Sequence, residues 1–280
     1  MDKRRQKLLA GITKDMCGLE IAPWFAPIAP KSEGYNVKIL DFFPREELYK
    51  RAVASPDIPD GTEKLIEEVD FVGNASDIAR IASGEYDYLI SSHNFEHLPD
   101  PIGFLQGVES LLKKNGKLIM ALPDCRYTFD RYRSHTLIGE WVDAHREGRE
   151  KPTRKQIFEF HAYLGTNVDD RLCGDLVDAW RNWDRTEFTD VHCTLFFPTS
   201  FELLMLEAQA LGLTRLSVKK IERRLAEFFV WLELADGPPQ NLRERRERLL
   251  KEIRSEVGFL AILKNKMRRK VEVLSNMVGF

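Results

Sequence analysis

The feature that most constrains this chain is a rhythm in its first 125 residues, where short apolar runs alternate with helical patterns. The runs are Gly18–Ala22, Asn36–Asp41, Val69–Val72, Tyr86–Ser91 and Lys117–Leu122. Each is rich in Val, Ile, Leu or aromatic residues and bounded by turn formers, as strands are. Helical stretches lie between them at Arg45–Ala54, Ser76–Ser83 and Ile102–Lys113. In the last, "IGFLQGVESLLKK" sets Phe104, Val108, Leu111 and Leu112 on one face, with lysines in the final turn. "KKNG" closes that helix and opens the next strand. Such alternation predicts a parallel sheet with helices on both faces.

The rhythm stops near Tyr127. Residues 127–190 read as three helices, "TLIGEWVDAHREG", "RKQIFEFHAYL" and "GDLVDAWRNWDR", inserted over the ligand edge of the sheet. It resumes with "PTSFELLMLEAQALGL", a helix ended by Gly212, and with two strand-like runs, Arg215–Ile221 and Glu227–Leu234, spaced as an antiparallel pair. The predicted class is α/β: a Rossmann-like, doubly wound, mostly parallel sheet with an antiparallel final strand. The expected parts are an α/β half at 1–126, a helical cap at 127–190, the end of the α/β fold at 191–237, and a basic amphipathic helical tail at 238–280.

That tail carries apolar residues at three-four spacing: Leu249, Ile253, Val257, Leu260, Leu263, Met267, Val271 and Leu274. Between Arg243 and Lys270 it holds 11 Lys/Arg against 4 Glu, a local charge of +7. Three partners suit such a face: the protein's own body, a second copy of the chain, or an acidic membrane surface. The whole chain has net charge -2, which gives it no electrostatic claim on nucleic acid. Four scattered cysteines without a CxxC pair read as reduced thiols. The basic N-terminus has too short an apolar run for a signal peptide, and no run of 18 apolar residues offers a membrane span. The expected location is the cytoplasm, with peripheral contact at the inner face of the membrane left open.

Four segments carry a family likeness: "GLEIAP", "VKILD", "YDYLISSHNFEHLPDP" and "LLKKNGKLIMALPD". Together they resemble the class I S-adenosylmethionine (SAM)-dependent methyltransferases, of the type that accompanies bacterial glycan biosynthesis. The resemblance covers residues 15 to 125 well, and the strand pair up to 234 more loosely. It implies SAM as cofactor. Glu20, ending the first strand, corresponds to an acid that meets the methionine end of SAM. Asp41, about 20 residues on, corresponds to the carboxylate that accepts both ribose hydroxyls. Asn74 and Ala75 fall where relatives face the adenine amino group. Ser92 and His93 stand at the turn after the fourth strand, beside the transferred methyl. Ala22 replaces the first glycine of the usual loop. In a left-handed backbone, alanine costs about 1–2 kcal/mol, which, charged to the cofactor, weakens its binding roughly ten- to thirty-fold.

For an acceptor hydroxyl, His93 is the first candidate base and His192 the second. Asn94, Asp124, Arg126 and Tyr127, at the ligand edge, are candidates for holding the acceptor. Arg126, Asp130 and Arg131 also read as a solvated charge network. His93-x-x-x-His97 has helical metal spacing, but no third ligand is evident and no metal is expected; His97 reads as a structural histidine. Trp141, Tyr163, Trp180 and Trp183 either stack on sugar faces or fill a helical core. The expected function is a SAM-dependent O-methyltransferase acting on a carbohydrate or another small polar acceptor. The alternative is a weakened methyltransferase fold serving as a binding or scaffold subunit in glycan biosynthesis.

Overall fold

The computed structural model describes residues 2–56, 58–166, 171–184 and 189–258. The apolar runs become β1 (Gly18–Ile21), β2 (Val37–Asp41), β3 (Phe71–Val72), β4 (Tyr86–Ser92), β5 (Leu112–Pro123), β6 (Leu216–Arg223) and β7 (Glu227–Leu234). They form one sheet in the order β3-β2-β1-β4-β5-β7-β6. The first five are parallel, and β7 runs antiparallel between β5 and β6. The predicted class is thus the one observed. Strand order reverses between β1 and β4, and ligands of open α/β sheets bind at such switch points.

The helices are α1 (Lys3–Leu8), α2 (Arg45–Ala54), α3 (Ile78–Ile81), α4 (Pro101–Leu111), α5 (Ile138–Glu147), α6 (Arg154–Ala162), α7 (Leu176–Arg181), α8 (Pro198–Ala210) and α9 (Leu242–Val257). The start of α4 follows from "LPDP": Asp100 caps it by accepting from the Gly103 N–H, and Pro101 fills its first turn. Its end differs from expectation. Leu112 already pairs with Tyr86, and the register then jumps so that Lys117 faces Tyr88. "KKNG" therefore loops out within the ladder instead of standing between helix and strand.

The two-residue period of β5 divides the core. Leu118, Met120 and Leu122 pack with residues of α4 and α8, whereas Ile119 and Ala121 face Leu8, Leu9, Ile28 and Ala29. Helices were expected on both faces; on this second face α1 covers the centre together with the β1–β2 connection. That connection contains Pro23, Pro27 and Pro30 and holds only a 3₁₀ turn at Lys31–Glu33, because proline blocks the helix interior.

The insertion folds as the three helices α5, α6 and α7, and α5 buries Trp141 against Phe95 at 5.6 Å. In α9, Leu249 and Ile253 are buried with Phe197, Leu203 and Leu206, so this part of the tail lies on the protein's own body. Leu260, Leu263, Met267, Val271 and Leu274 lie outside the described residues. Among the described residues no helix is long and apolar enough to cross a membrane.

Candidate active site

A cavity of about 460 Å³ opens at the carboxyl ends of β1, β2 and β4. Ala22, Trp24, Asp41, Asn74, Ala75, His93, Asn94, His97 and Asp190 are among its lining residues. Among the described residues only four non-glycine residues have positive φ, and three of them line this cavity: Ala22 (50°), Trp24 (46°) and His93 (50°). Left-handed backbone at non-glycine residues is costly and concentrates where a site imposes it.

Asp41 forms the floor. Its Oδ1 accepts from the Phe42 N–H at 2.7 Å, but Oδ2 is buried without a hydrogen-bond partner among the described residues. Burial outweighs the nearby N–H groups of Phe42, Phe43 and Trp24 and pushes its pKa up to about 6. A buried carboxylate oxygen left unpaired at a cavity wall is the chemistry that ribose hydroxyls would satisfy. The loop leaves the space open: the Trp24 indole donates to the Leu48 carbonyl at 3.3 Å, and Phe25 stacks beside it in the small core under α2. Asn74 lines the adjoining wall, with Oδ1 engaged by the Ser76 N–H.

Glu20 does not line the cavity. Its two oxygens accept from the Ile28 and Ala29 N–H groups at 2.6 and 2.9 Å, and burial pushes its pKa up to about 7. The expected cofactor ligand instead fastens the loop from below, because the chain folds back over it eight residues on. Ser92 is likewise outside, accepting from Arg4 Nη2 at 2.8 Å.

Asp124, Arg126 and Tyr127 also stand apart from the cavity. Arg126 pairs with buried Asp124 (2.6 Å) and with Glu256 of α9, and its guanidinium lies 4.3 Å over the Phe197 ring. This group bolts the tail helix to the end of β5, and Tyr127 stands beside it, 5.6 Å from the same guanidinium. None of the three lines the cavity.

His93 is partly exposed within the cavity, its Nε2 3.2 Å from Glu227 Oε2. Desolvation opposes its charge, but the Glu227 and Glu96 carboxylates prevail and push its pKa up to about 9. Charge is favoured at this position, which suits a hydrogen-bond donor better than a base. His192 is buried beside the cavity, with Nδ1 2.6 Å from Asp130 Oδ2, while Arg133 bridges Asp130 and the His192 carbonyl. Asp130 is therefore a buried orienting group and not a solvated charge. His97 does more than pack: it lines the cavity, and its Nδ1 is 2.7 Å from Asp190 Oδ1. Its ring stands edge-on to His192, with centroids 4.6 Å apart.

Sequence reasoning missed Glu96, Asp130 and Asp190 as site residues. Their signal lies in two short segments, "FEH" and "DVH", each joining a histidine to an acid. Only the fold brings them together, as the Cys193 and Thr194 N–H groups donate to the Glu96 carbonyl at 2.7 and 3.0 Å. A smaller groove of about 160 Å³ adjoins, sharing Thr189 with the main cavity and lined by Arg154, His161, Asp178, Asn182 and Trp183. Next to it Trp180 is 66% exposed, its ring 6.1 Å from that of Trp183. Trp141, by contrast, is core.

Compared with known proteins, residues 7–214 match the family model described as a methyltransferase domain. No curated protein matches the sequence. Among solved structures, the CcbJ methyltransferase of Streptomyces caelestis aligns at 11% identity with a TM-score of 0.44, over 82% of this chain and 94% of that one. A SAM-dependent methyltransferase of Methanosarcina mazei aligns at 16% identity and 0.43, over 84% and 99%. One from Aquifex aeolicus gives 12% and 0.42, over 82% and 89%. At these scores the family match, not the structural likeness, bears the assignment.

Proposed function

The chain belongs to the methyltransferase-domain family and is a SAM-dependent methyltransferase, and from that premise we propose that it methylates a hydroxyl of a carbohydrate or similar small polar acceptor. The observation that carries the donor end is the unpartnered Asp41 Oδ2 on the floor of the cavity. Bound SAM supplies an electrophilic methyl on a sulfonium. Asp41 would hold the ribose hydroxyls, with Asn74 and Ala75 along the neighbouring wall and the Ala22–Trp24 turn fixing the approach. The protein's remaining work is to align the acceptor and exclude water, which can be worth effective molarities of about 10⁵–10⁸ M.

The acceptor end is supported by the chemistry beyond His93. His93, held charged, donates a hydrogen bond to an acceptor oxygen better than it removes a proton. The proton of a hydroxyl would pass to solvent. The adjoining groove supports a carbohydrate: its lining sets the Trp183 indole with the Asp178 carboxylate and the Asn182 amide, the pairing that suits a sugar's apolar face and its hydroxyls.

The test is isothermal titration with SAM, followed by turnover assays with a panel of sugars and sugar nucleotides, reading release of the demethylated product. Micromolar SAM binding and turnover confined to hydroxyl acceptors are expected. No heat with millimolar SAM would overturn the donor reading. Methylation of amines alone would overturn the acceptor reading, and SAM binding without turnover on any acceptor would favour the binding-subunit alternative.

A further inference from the structure

We propose that Glu96, His97 and His192 form a binding site for a divalent transition-metal ion, with Zn²⁺ the best match, at the acceptor end of the cavity. One ligand atom from each residue lies within 4.8 Å of the others. Glu96 Oε1 is 4.0 Å from His97 Nε2. Metal–ligand bonds of about 2.0–2.2 Å need these atoms within roughly 4 Å of one another, so a closure on the order of an ångström completes the site. Two imidazoles and one carboxylate are the donor set of open, three-ligand zinc centres and of related first-row ions.

Two independent observations point to a ligand here. The first is Glu96 itself, wholly buried, with neither carboxylate oxygen hydrogen-bonded among the described residues. His93 Nδ1, 3.6 Å from Oε1, attracts it by charge but leaves both oxygens without a hydrogen bond. Buried carboxylate oxygens that no donor or ligand satisfies are costly. The second is the orientation of the rings. His97 Nδ1 is held by Asp190 and His192 Nδ1 by Asp130, at 2.7 and 2.6 Å. Carboxylates on the far nitrogens fix the tautomer that leaves Nε2 of each ring with its lone pair, the arrangement by which metal-binding histidines are prepared. Asp130 is steadied in turn by Arg133.

His97 and Asp190 line the cavity, so the ion's remaining coordination position opens to the acceptor. Its role there rests on the methyltransferase reading above. A hydroxyl bound to the ion would ionise at lower pH, its proton passing to solvent. The binding site stands without that role.

The test uses the full chain, stripped with chelator and titrated with Zn²⁺ by calorimetry and with Co²⁺ by visible absorption, in the absence of SAM. One ion per chain is expected, with a cobalt band typical of low coordination number. Glu96→Gln and His97→Gln should each weaken binding by at least about 100-fold, more than an outer-sphere loss causes. His93→Gln should retain binding. Thermal melts and a SAM titration of each variant verify folding independently of the metal. No stoichiometric ion in the wild type, or binding that survives both Glu96→Gln and His97→Gln, would overturn the site. Should SAM fail to bind while the ion binds, the donor reading falls and the metal site remains.

Discussion

The two ends of the cavity are built differently. At the donor end, the carboxyl edge of β1 and β2, the pocket is shaped by backbone turns and strand ends: Asp41 ending its strand, the Ala22–Trp24 turn with Glu20 pinning Ile28 and Ala29, and Asn74 and Ala75 on the neighbouring wall. At the acceptor end, the groups come from segments nearly a hundred residues apart and are held by ion pairs: His97 with Asp190, and His192 with Asp130 and Arg133. The donor end offers one unsatisfied oxygen in a rigid backbone frame. The acceptor end offers charged side chains whose positions depend on one another. The first should therefore fail locally when altered, and the second should fail together with the fold.

The largest effect expected is at the acceptor end. Asp130→Asn leaves the Arg133 guanidinium, 3% exposed, without its carboxylate. Breaking a buried pair on one side costs about 3–5 kcal/mol, which in a chain of this size lowers Tm on the order of 10 °C. Calorimetry should find SAM affinity within about threefold of wild type. A parallel collapse of SAM binding at temperatures where the variant is folded would show that the two ends are not independent.

Asp41→Asn is the matching change at the donor end. Losing hydrogen bonds to a charged acceptor costs about 1.5–3 kcal/mol, so SAM should bind roughly 10- to 100-fold more weakly, with little change in Tm. The pH profile sharpens the point. Burial raises the Asp41 pKa to about 6, above its usual value of 3.8, so in the absence of SAM this group favours the folded state at low pH and loses that contribution as pH rises through 6. SAM requires the opposite, ionised form. Its affinity should accordingly be about tenfold weaker at pH 5 than at pH 7, and Asp41→Asn should flatten the profile. A pH-independent wild type would mean that the carboxylate does not touch the ribose.

The same contrast explains what could be read from the sequence. The strands were legible because each is a short apolar run closed by turn residues, and Asp41 was legible because it terminates one of them. Glu20 was visible as a strand-end acid, but its partners, the N–H groups of residues 28 and 29, depend on how a proline-rich connection folds back. Arg126 and Asp124 were expected in the site because they follow β5; only the docking of α9, which brings Glu256 to Arg126, ties them into the fold away from the cavity. The acceptor end was hidden for a further reason. His97 and His192 have no periodic relation, and what joins them is backbone hydrogen bonding from Cys193 and Thr194 to Glu96. Of the two tryptophans in α5 and α7, neither spacing nor composition separates buried Trp141 from exposed Trp180.

The smallest effect expected concerns Ala22, where the sequence placed a penalty on cofactor binding. The structure confirms the left-handed conformation, φ 50°, but the protein's own bonds fix it: the Ala22 N–H donates to the Leu40 carbonyl at 2.7 Å, and Glu20 clamps the loop beyond. The strain is then borne in folding and not drawn from SAM affinity. Ala22→Gly removes a cost of about 1–2 kcal/mol and adds about 0.5–1 kcal/mol of chain entropy lost on folding. The net gain, about 0.5–1 kcal/mol, should raise Tm by roughly 1–4 °C, while calorimetric SAM affinity stays within about twofold. Tenfold tighter binding with no rise in Tm would reverse the assignment: the loop would then be taking up its strained shape at the expense of the cofactor, and the donor end would be no more preformed than the acceptor end.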